Sequence, residues 1–337
     1  MYILVTGGAG YIGSHAVLEL LENNYKVIVI DNFSNSSIKS LERVESITGK
    51  KPIIIDGDIR DLHTLDNIFS EHTITAIMHF AGLKSVAESI RNPIEYYENN
   101  IYGTLQLLRA MDKYKVYRII FSSSATVYGD PIKLPLKESM VAGNPINPYG
   151  MSKLMIENIL KDWNKAHKES NVTLLRYFNP VGAHLTGLIG EDPKDIPNNL
   201  MPLICKVAIG EINELTIYGN DYVTPDGTGI RDFIHVSDLV KGHVEILKKC
   251  THSGIHIYNL GTGKGISVLE LINTFQKVNN VNIRYKVADR RDGDIASCYA
   301  DSSKIKKDFD WETQLDVERM CQDAWRWQKL NPHGYDD

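Results

Sequence analysis

The sequence has few cysteines, no long apolar run and no excess of positive charge, and each absence excludes a class of protein. The four cysteines, Cys205, Cys250, Cys298 and Cys321, lie far apart and form no CxxC pair, which argues against a disulfide framework and a zinc site. No apolar stretch approaches the roughly 20 residues of a membrane span, and the residues after Met1 do not resemble a signal peptide. The net charge is −5, which gives no general attraction for nucleic acid. We therefore expect a cytoplasmic protein with reduced thiols and no metal.

The residues that are present follow the pattern of a parallel sheet covered by helices. With 337 residues, of which 43% are hydrophobic, the chain can form one large domain or two moderate ones. Short apolar runs alternate with helical patterns in the first half, which predicts a Rossmann-type, doubly wound α/β fold. Two longer helices are predicted at Ile94–Tyr114 and Tyr149–His167. The predicted strands are Tyr2–Thr6, Lys26–Ile30, Pro52–Ile55, Ala76–Ala81, Tyr117–Ser122 and Thr173–Phe178.

A glycine-rich turn follows the first predicted strand and opens a helix. Gly7 permits the tight turn, Gly10 lets the backbone approach a pyrophosphate, and Gly13 allows close packing of helix on strand. The N–H groups at the start of such a helix favour a diphosphate. Asp31 ends the second strand 18 positions after Gly13, close to the spacing of an acid that binds ribose hydroxyls and disfavours a 2′-phosphate. An ordinary turn is the alternative, but the context predicts NAD binding.

The domain prediction follows from this turn and from a change of composition. Prolines and glycines become frequent from about Asn179, which is typical of loops that line a cleft. We predict an NAD-binding Rossmann domain over 1–178 and a smaller, loop-rich α/β substrate domain over 179–337. Strands near 233–236 and 255–260 are expected to return to the first sheet or its edge. Ligands bind at the carboxyl edge of open α/β sheets, where the predicted strands place Asp58, Ile59, Phe80, Ala81 and Gly82.

Tyr149 and Lys153 lie four residues apart at the start of a predicted helix, so their side chains share one face. A phenol with a pKa of about 10 is a poor base at neutral pH, but a neighbouring ammonium and a cationic nicotinamide ring favour the phenolate. Lowering the pKa by three units requires roughly 4 kcal/mol. Ser122 and Ser124 end the fifth strand at the same edge, where the Ser124 hydroxyl can bind the reacting oxygen. These residues predict a catalytic group of Ser124, Tyr149 and Lys153.

The chain resembles the UDP-glucose (UDP-galactose) 4-epimerases of the extended short-chain dehydrogenase/reductase superfamily. Matching blocks span nearly its whole length, which makes the resemblance specific. They are TGGAGYIGSH at 6–15, HFAGLKSVAES at 79–89, FSSSATVYG at 121–129, NPYGMSK at 147–153, LRYFNPVGAH at 175–184, IPNNLMP at 196–202 and YGNDYVTPDGTGIRDFIHVSDL at 218–239.

The resemblance implies a mechanism and a homodimer. Tyr149 would take the proton of the sugar 4-hydroxyl while C4 gives its hydride to tightly held NAD; the 4-keto sugar then turns over and takes the hydride on its other face. Matching positions imply NAD contacts at Tyr11, Ile12, Asn32, Asp58, Ile59, Phe80, Lys84, Asn99 and Phe178, alongside the turn and catalytic residues. They imply UDP-sugar contacts at Lys84, Ser124, Tyr149, Asn179, Asn199, Leu200, Tyr218, Arg231 and Arg291.

Cys298 departs from the pattern of relatives that are restricted to non-acetylated sugars, which carry a bulky tyrosine there. The resemblance therefore implies room for a 2-N-acetyl group, and hence activity on UDP-GlcNAc and UDP-GalNAc as well as on UDP-glucose and UDP-galactose. The alternative is an epimerase restricted to non-acetylated sugars, with Tyr299 filling the space.

Two other functions share parts of this pattern. A nucleotide-sugar 4,6-dehydratase needs an Asp-Glu pair after the strand-end Ser/Thr, whereas Ala125 and Thr126 follow Ser124 here. A non-catalytic dinucleotide sensor would not need Ser124, Tyr149 and Lys153. The sequence therefore favours the epimerase over both.

Overall fold

The computed structural model describes residues 1–131, 133–194, 197, 199–291 and 293–336. Its strands are β1 Tyr2–Thr6, β2 Lys26–Asp31, β3 Ile53–Asp56, β4 Ile74–His79, β5 Arg118–Ser124, β6 Asn171–Tyr177, β7 Asn179–Val181, β8 Leu215–Tyr218, β9 Ile230–Arg231, β10 Phe233–His235, β11 Gly254–Leu260, β12 Ile266–Ser267, β13 Tyr285–Ala288 and β14 Ser297–Cys298. Its α-helices are α1 Tyr11–Glu22, α2 Ile38–Thr48, α3 Leu62–Glu71, α4 Val86–Arg91, α5 Pro93–Tyr96, α6 Gly103–Tyr114, α7 Pro148–Ala166, α8 Leu200–Ile209, α9 Val236–Lys249, α10 Val268–Asn279, α11 Ser303–Phe309 and α12 Val317–Leu330. A π-helical segment, Tyr97–Tyr102, joins α5 to α6.

The largest sheet has seven strands in the order β11-β6-β5-β4-β1-β2-β3. The neighbouring pairs among β1 to β5 are parallel, and the order 3-2-1-4-5-6 is that of the doubly wound dinucleotide-binding fold. The predicted Rossmann-type fold is therefore confirmed. The six strands predicted for it all occur, with ends within two residues of their predicted positions.

Two later strands lie in different sheets. β11 forms the edge of the large sheet, beside β6, as expected for the segment near 255–260. The segment near 233–236 was expected there too, but β10 instead pairs in parallel with β7 in a separate two-stranded sheet. The physical reason for this difference is the path of the chain. β7 follows β6 directly and gives β10 a parallel partner, which the sequence pattern does not predict.

The chain divides into two compact units. The first comprises 1–129, 141–176 and 243–258, and the second comprises 130–140, 177–242 and 259–337. Each has an apolar core of its own; Leu4, Ile77 and Phe121 belong to the first core, and Phe275 and Trp325 to the second. Within the described residues, no helix is both long and apolar enough to cross a membrane.

Helix α7 begins at a well-defined position. The Asn147 side chain accepts a hydrogen bond from the Gly150 amide at 2.8 Å, and Pro148 occupies the first helical position. Both features specify a helix start, because the cap satisfies an unpaired N–H and proline has a helical φ. Tyr149 is therefore held in the first turn of α7, and Lys153 lies one turn later.

Candidate active site

The glycine turn after β1 has the geometry that its sequence predicts. Gly7 has a φ of +68°, and a Cβ added to it would lie 2.6 Å from the Ala81 amide nitrogen. A Cβ on Gly13 would lie 2.1 Å from the Gly7 carbonyl oxygen, so a side chain there would force α1 away from the turn. A Cβ on Gly10, in contrast, meets only ordinary contact with the protein. Gly10 also caps α1 without a side-chain acceptor, which suits a diphosphate at the helix start.

Asp31 lies at the end of β2 and is nearly buried. One of its carboxylate oxygens accepts the Ala9 amide at 2.9 Å, and the other accepts the Phe33 amide and the Ser36 hydroxyl. These bonds tie the glycine turn to the end of β2. The sequence pattern predicted Asp31 and its position, but not its hydrogen bond to the glycine turn after β1.

Asn32 and Asp58 are brought together at the ends of β2 and β3. The Asn32 amide donates to Asp58 at 2.9 Å, and Arg60 donates to both Asp58 oxygens. The hydrogen bonds from Arg60, opposed by partial burial, lower the pKa of Asp58 to about 2. Ile59 is buried against Gly103. Asp58 therefore stays ionised at neutral pH and is paired with Arg60 at this end of the sheet.

The segment after β4 is fixed to β1 and to the π-helical segment. The Phe80 and Ala81 amides both donate to the Thr6 carbonyl at 3.0 Å. Beyond Gly82, the Leu83 amide donates to the Asn100 side chain, which donates in turn to the Leu83 carbonyl and the Ser152 hydroxyl. Asn99 is half-buried beside it, and Lys84 is exposed. The sequence pattern identified Asn99 but not Asn100, which is buried within the π-helical segment.

Tyr149, Lys153 and Ser124 come together between β5 and α7. The Lys153 ammonium donates to the Ser122 carbonyl at 2.8 Å and lies 5.9 Å from the centroid of the Tyr149 ring. A hydrogen bond joins Tyr149 to Ser124. The three predicted catalytic residues therefore form one group, with Ser122 contributing its carbonyl oxygen rather than its side chain.

Burial shifts both ionisable members of this group toward their neutral forms. It raises the pKa of Tyr149, although the hydrogen bond with Ser124 acts in the opposite direction. It lowers the pKa of Lys153 to about 8. Desolvation therefore opposes the effect of the ammonium, which was expected to favour the phenolate. A further positive charge is needed to lower the pKa of Tyr149.

A buried carboxylate supports this group from behind. Glu157 lies one turn after Lys153 on α7 and is fully buried. It accepts the Ser123 hydroxyl at 2.7 Å and two hydrogen bonds from Arg176 on β6, at 2.9 and 2.6 Å. Burial alone would raise the pKa of Glu157, but the Arg176 and Ser123 hydrogen bonds outweigh it and the pKa is lowered. The Arg176 guanidinium also stacks on the Tyr128 ring, 4.6 Å from its centroid.

Most predicted substrate residues lie in the second unit. Asn179 is exposed on β7, next to buried Phe178, whose amide donates to the Leu260 carbonyl. Asn199 occupies the N-cap position of α8, which begins at Leu200, but its side chain makes no capping bond and instead donates to Glu191 at 2.7 Å. In the predicted block at 196–202, Ile196 and Asn198 lie outside the described residues.

The two predicted arginines differ in their contacts. Arg231 donates to the carbonyls of Ile230 and Ile295, at 2.8 and 2.9 Å, and is half-buried. Arg291 is exposed, stacks on the Tyr218 ring at 4.7 Å and pairs with Asp294 at 2.9 Å. Arg291 thus forms a surface ion pair, and an anion would have to compete with Asp294.

Cys298 is held in place by its backbone. β14 pairs in parallel with β9, which aligns Cys298 with Arg231, and the Cys298 carbonyl accepts the Asp232 amide at 3.0 Å. The buried Asp232 carboxylate accepts four further bonds, from the Thr262 amide and hydroxyl and from the Gly263 and Ala300 amides. The next ring, Tyr299, lies beside Gly265. Sequence analysis missed Asp232, which fixes the strand that carries Cys298.

Comparison with known proteins places these features in a family. Residues 3–261 match the model of the NAD dependent epimerase/dehydratase family. A curated UDP-glucose 4-epimerase from Pasteurella multocida (strain Pm70) is 56% identical over 338 residues, which cover all of both chains.

Solved structures agree with the sequence match. The UDP-glucose 4-epimerase from Bifidobacterium longum, in complex with NAD+ and UDP, is 53% identical with a TM-score of 0.97, and 99% of this chain and 100% of that chain are covered. The UDP-Glc/GlcNAc 4-epimerase from Campylobacter jejuni is 36% identical with a TM-score of 0.85, and the coverage is 98% and 99%.

The buried Glu157–Arg176 pair gives a stability prediction. Glu157→Gln leaves the Arg176 guanidinium without a counter-charge, and breaking a buried pair is strongly destabilising. We expect the free energy of unfolding to fall by about 3 kcal/mol, measured by urea denaturation. Lys161→Ala is the control, since Lys161 reaches Glu157 from a partly exposed position at 3.4 Å and its loss should cost less than about 1 kcal/mol. Equal effects of the two substitutions would contradict the assignment.

The lowered pKa of Lys153 predicts a pH-dependent stability. Since the folded pKa lies near 8 against 10.5 unfolded, the cost of burying the ammonium is fully present below pH 8 and is relieved as pH rises toward 10.5. In NAD-free protein, Lys153→Met should therefore be more stable than the parent by about 2 kcal/mol at pH 7, after about 1 kcal/mol for the lost Ser122 bond. Urea denaturation at pH 7 and pH 10 measures this difference, which should shrink at the higher pH. Exposed Lys165→Met should show no comparable pH trend; a destabilised Lys153→Met at pH 7 would refute the prediction.

Proposed function

This chain belongs to the NAD-dependent epimerase/dehydratase family and, within it, to the UDP-glucose 4-epimerases, and we propose that it interconverts UDP-galactose and UDP-glucose. The observation that carries this proposal is the grouping of Tyr149, Lys153 and Ser124 at the carboxyl edge of a sheet whose first strand ends in a dinucleotide-type glycine turn. The relatives named above act on UDP-glucose, and one was solved with NAD+ and UDP.

The first unit fits NAD. The start of α1 has no side-chain cap, so its N–H groups are available to a diphosphate, and the open side of Gly10 leaves room for it. Asp31 lies at the end of β2, where a carboxylate binds ribose hydroxyls and disfavours a 2′-phosphate. Asn32, Asp58, Ile59, Phe80 and Asn99 complete the proposed set near the same strand ends.

The catalytic residues of this chain move and hold a proton. Tyr149 takes the proton from the sugar 4-hydroxyl, and Ser124, which already shares a hydrogen bond with Tyr149, steadies the reacting oxygen. Bound NAD supplies a reversible hydride acceptor for C4 and a positive charge that favours the phenolate. Tyr149 returns the proton when the 4-keto sugar is reduced on its other face, so the sugar is neither oxidised nor reduced overall.

In this proposal, Lys153 is held in place by a hydrogen bond and favours the phenolate of Tyr149. Its bond to the Ser122 carbonyl fixes the ammonium within the buried group, and its charge opposes the desolvation that raises the pKa of Tyr149. In the second unit, Asn179, Asn199, Leu200, Tyr218, Arg231 and Arg291 are the proposed contacts of the UDP-sugar. Arginine suits this role, because its planar donors match phosphate oxygens.

Turnover without added cofactor tests the proposal. Purified protein incubated with UDP-galactose should form UDP-glucose, followed by chromatography, because NAD stays bound and is regenerated. Tyr149→Phe should lower the turnover number by roughly 100- to 10,000-fold, since it removes the acid/base group, and should still contain NAD by absorbance. A variant as active as the parent would indicate a dinucleotide sensor or a different base. Loss of water from the parent's product would indicate the 4,6-dehydratase, whose acid pair is missing at Ala125 and Thr126.

We further propose that the chain accepts the 2-N-acetylated substrates. Cys298 is small, and the Tyr299 ring, which would otherwise be the candidate to fill its space, lies beside Gly265. Since Tyr299 is in contact distance of Gly265, we infer that its ring does not fill the space beside Cys298. The similarity to an epimerase of UDP-Glc and UDP-GlcNAc supports this range within the same fold.

Substitution of Cys298 tests the sugar range. Cys298→Tyr should lower kcat/KM for UDP-GalNAc by at least about 100-fold, because the ring occupies the space of the acetyl group, while kcat/KM for UDP-galactose changes by less than about 5-fold. Cys298→Ala is the matched control and should keep both activities. Retained UDP-GalNAc activity in Cys298→Tyr would contradict the proposal that the small side chain of Cys298 admits the 2-N-acetyl group.

The homodimer and the cytoplasmic location stay predictions. The predicted helices that could pair two copies are Ile94–Tyr114 and Tyr149–His167, and they carry exposed apolar side chains at Ile94, Tyr102 and Met155. Exposed apolar patches favour association, and the sedimentation coefficient of the purified chain measures it.

A further inference from the structure

A cysteine and two histidines cluster in the first unit, in a part that the proposed reaction does not use. Cys250 follows the last residue of α9, His252 lies in the connection, and His256 is on β11, the edge strand of the large sheet. One potential ligand atom from each lies within 4.8 Å of the other two. Cys250 is fully buried, His252 is exposed and His256 is half-buried, so the cluster can be reached from the histidine side.

The backbone around the cluster is rigidly bonded. The Asn171 side chain donates to the carbonyls of Cys250 and His252, at 2.8 and 2.7 Å. The Arg118 guanidinium donates to the carbonyls of Leu247 and Cys250. These contacts hold the end of α9 and the connection after it against β6, which carries Asn171, and β5, which carries Arg118. Two of the three ligand residues are therefore positioned by their backbone before any ion binds.

The side chains also suit a metal ion. The Asn171 amide nitrogen lies 3.8 Å from the Cys250 sulfur, but its two hydrogens serve the Cys250 and His252 carbonyls. The thiolate, which is the form that binds metals, would be stabilised by the ion itself. A His256 ring nitrogen lies 3.1 Å from the His252 carbonyl oxygen. If that nitrogen carries the hydrogen, a metal would be bound through the other ring nitrogen, which is the usual arrangement of a histidine ligand.

The ligand set selects the class of metal. A thiolate with two imidazoles suits Zn²⁺, whereas Mg²⁺ and Ca²⁺ require oxygen ligands. Bond lengths of about 2.3 Å to sulfur and 2.0 Å to nitrogen place tetrahedral ligand atoms roughly 3.5 Å apart. The atoms must therefore approach by about 1 Å, and the exposed His252 side chain can rotate to do so. A fourth position remains for water.

We propose that Cys250, His252 and His256 bind one Zn²⁺ ion, which ties the end of α9 to the edge strand β11. The sequence-based expectation of no zinc site rested on the spacing of the cysteines alone, and a set with a single cysteine escapes that criterion. The ion would cross-link β11, the edge strand of the large sheet, to the residue that follows α9. It is independent of the proposed epimerase reaction.

Cobalt and zinc titrations of the untagged, NAD-loaded chain test the site. Co²⁺ should produce the charge-transfer absorption of a cobalt–thiolate bond with one equivalent per chain, and Zn²⁺ should displace it. Zn²⁺ should also raise the melting temperature, reversibly with a chelator. Cys250→Ser should abolish the thiolate band, whereas Cys205→Ser, which changes another buried cysteine, should keep it.

His252→Gln gives an independent answer if Cys250→Ser fails to fold, because His252 is exposed. It should weaken Zn²⁺ binding at least tenfold by isothermal calorimetry, and His63→Gln, on a remote helix, should not. Absence of the thiolate band in the parent, or equal Zn²⁺ affinity in His252→Gln and the parent, would overturn the proposal.

Discussion

The Glu157 carboxylate is the interaction on which the candidate active site depends. It joins three elements at once, because it lies on α7, accepts the Ser123 hydroxyl from β5 and pairs with Arg176 on β6. Ser123 stands between the carbonyl that anchors Lys153 and the hydroxyl that bonds to Tyr149. A shift of this carboxylate would move both contacts. The buried charge is tolerable because its hydrogen bonds and its guanidinium partner compensate the loss of water.

The same burial that fixes these residues also opposes their chemistry. Desolvation raises the pKa of Tyr149 and lowers that of Lys153, so the unliganded group favours a neutral phenol. A cationic ligand beside the phenol reverses the balance only while it is bound. In the proposed mechanism, proton transfer by Tyr149 would thereby be coupled to the presence of the oxidised cofactor, and Tyr149 would not act as a free base in the empty enzyme. Burial of the Lys153 ammonium in this arrangement lowers the free energy of unfolding.

Local patterns carried most of the sequence-based prediction. Gly7, Gly13 and Asp31 could be predicted because a turn of positive φ, a close helix contact and a strand-end acid each impose one residue type at a fixed spacing. Glu157 and Arg176 were missed, although a glutamate on the face of Tyr149 and Lys153 and an arginine within an apolar strand were visible signals. Their meaning depends on a pairing 19 residues apart. The pairing of β10 with β7 likewise follows from the chain path, which no local periodicity encodes.

The two kinds of predicted substrate residue are expected to act in different ways. Arg291 is exposed and engaged with Asp294, so a diphosphate gains only the difference between two ion pairs, which is small in water. Cys298 is buried on a strand fixed by Arg231 and Asp232, and its volume cannot adjust without moving that strand. Under the proposed function, affinity for the nucleotide would rest on exchangeable contacts such as that of Arg291, whereas discrimination among sugars would rest on the rigid position of Cys298. A fixed wall can reject a larger group by steric overlap, which an exchangeable ion pair cannot do.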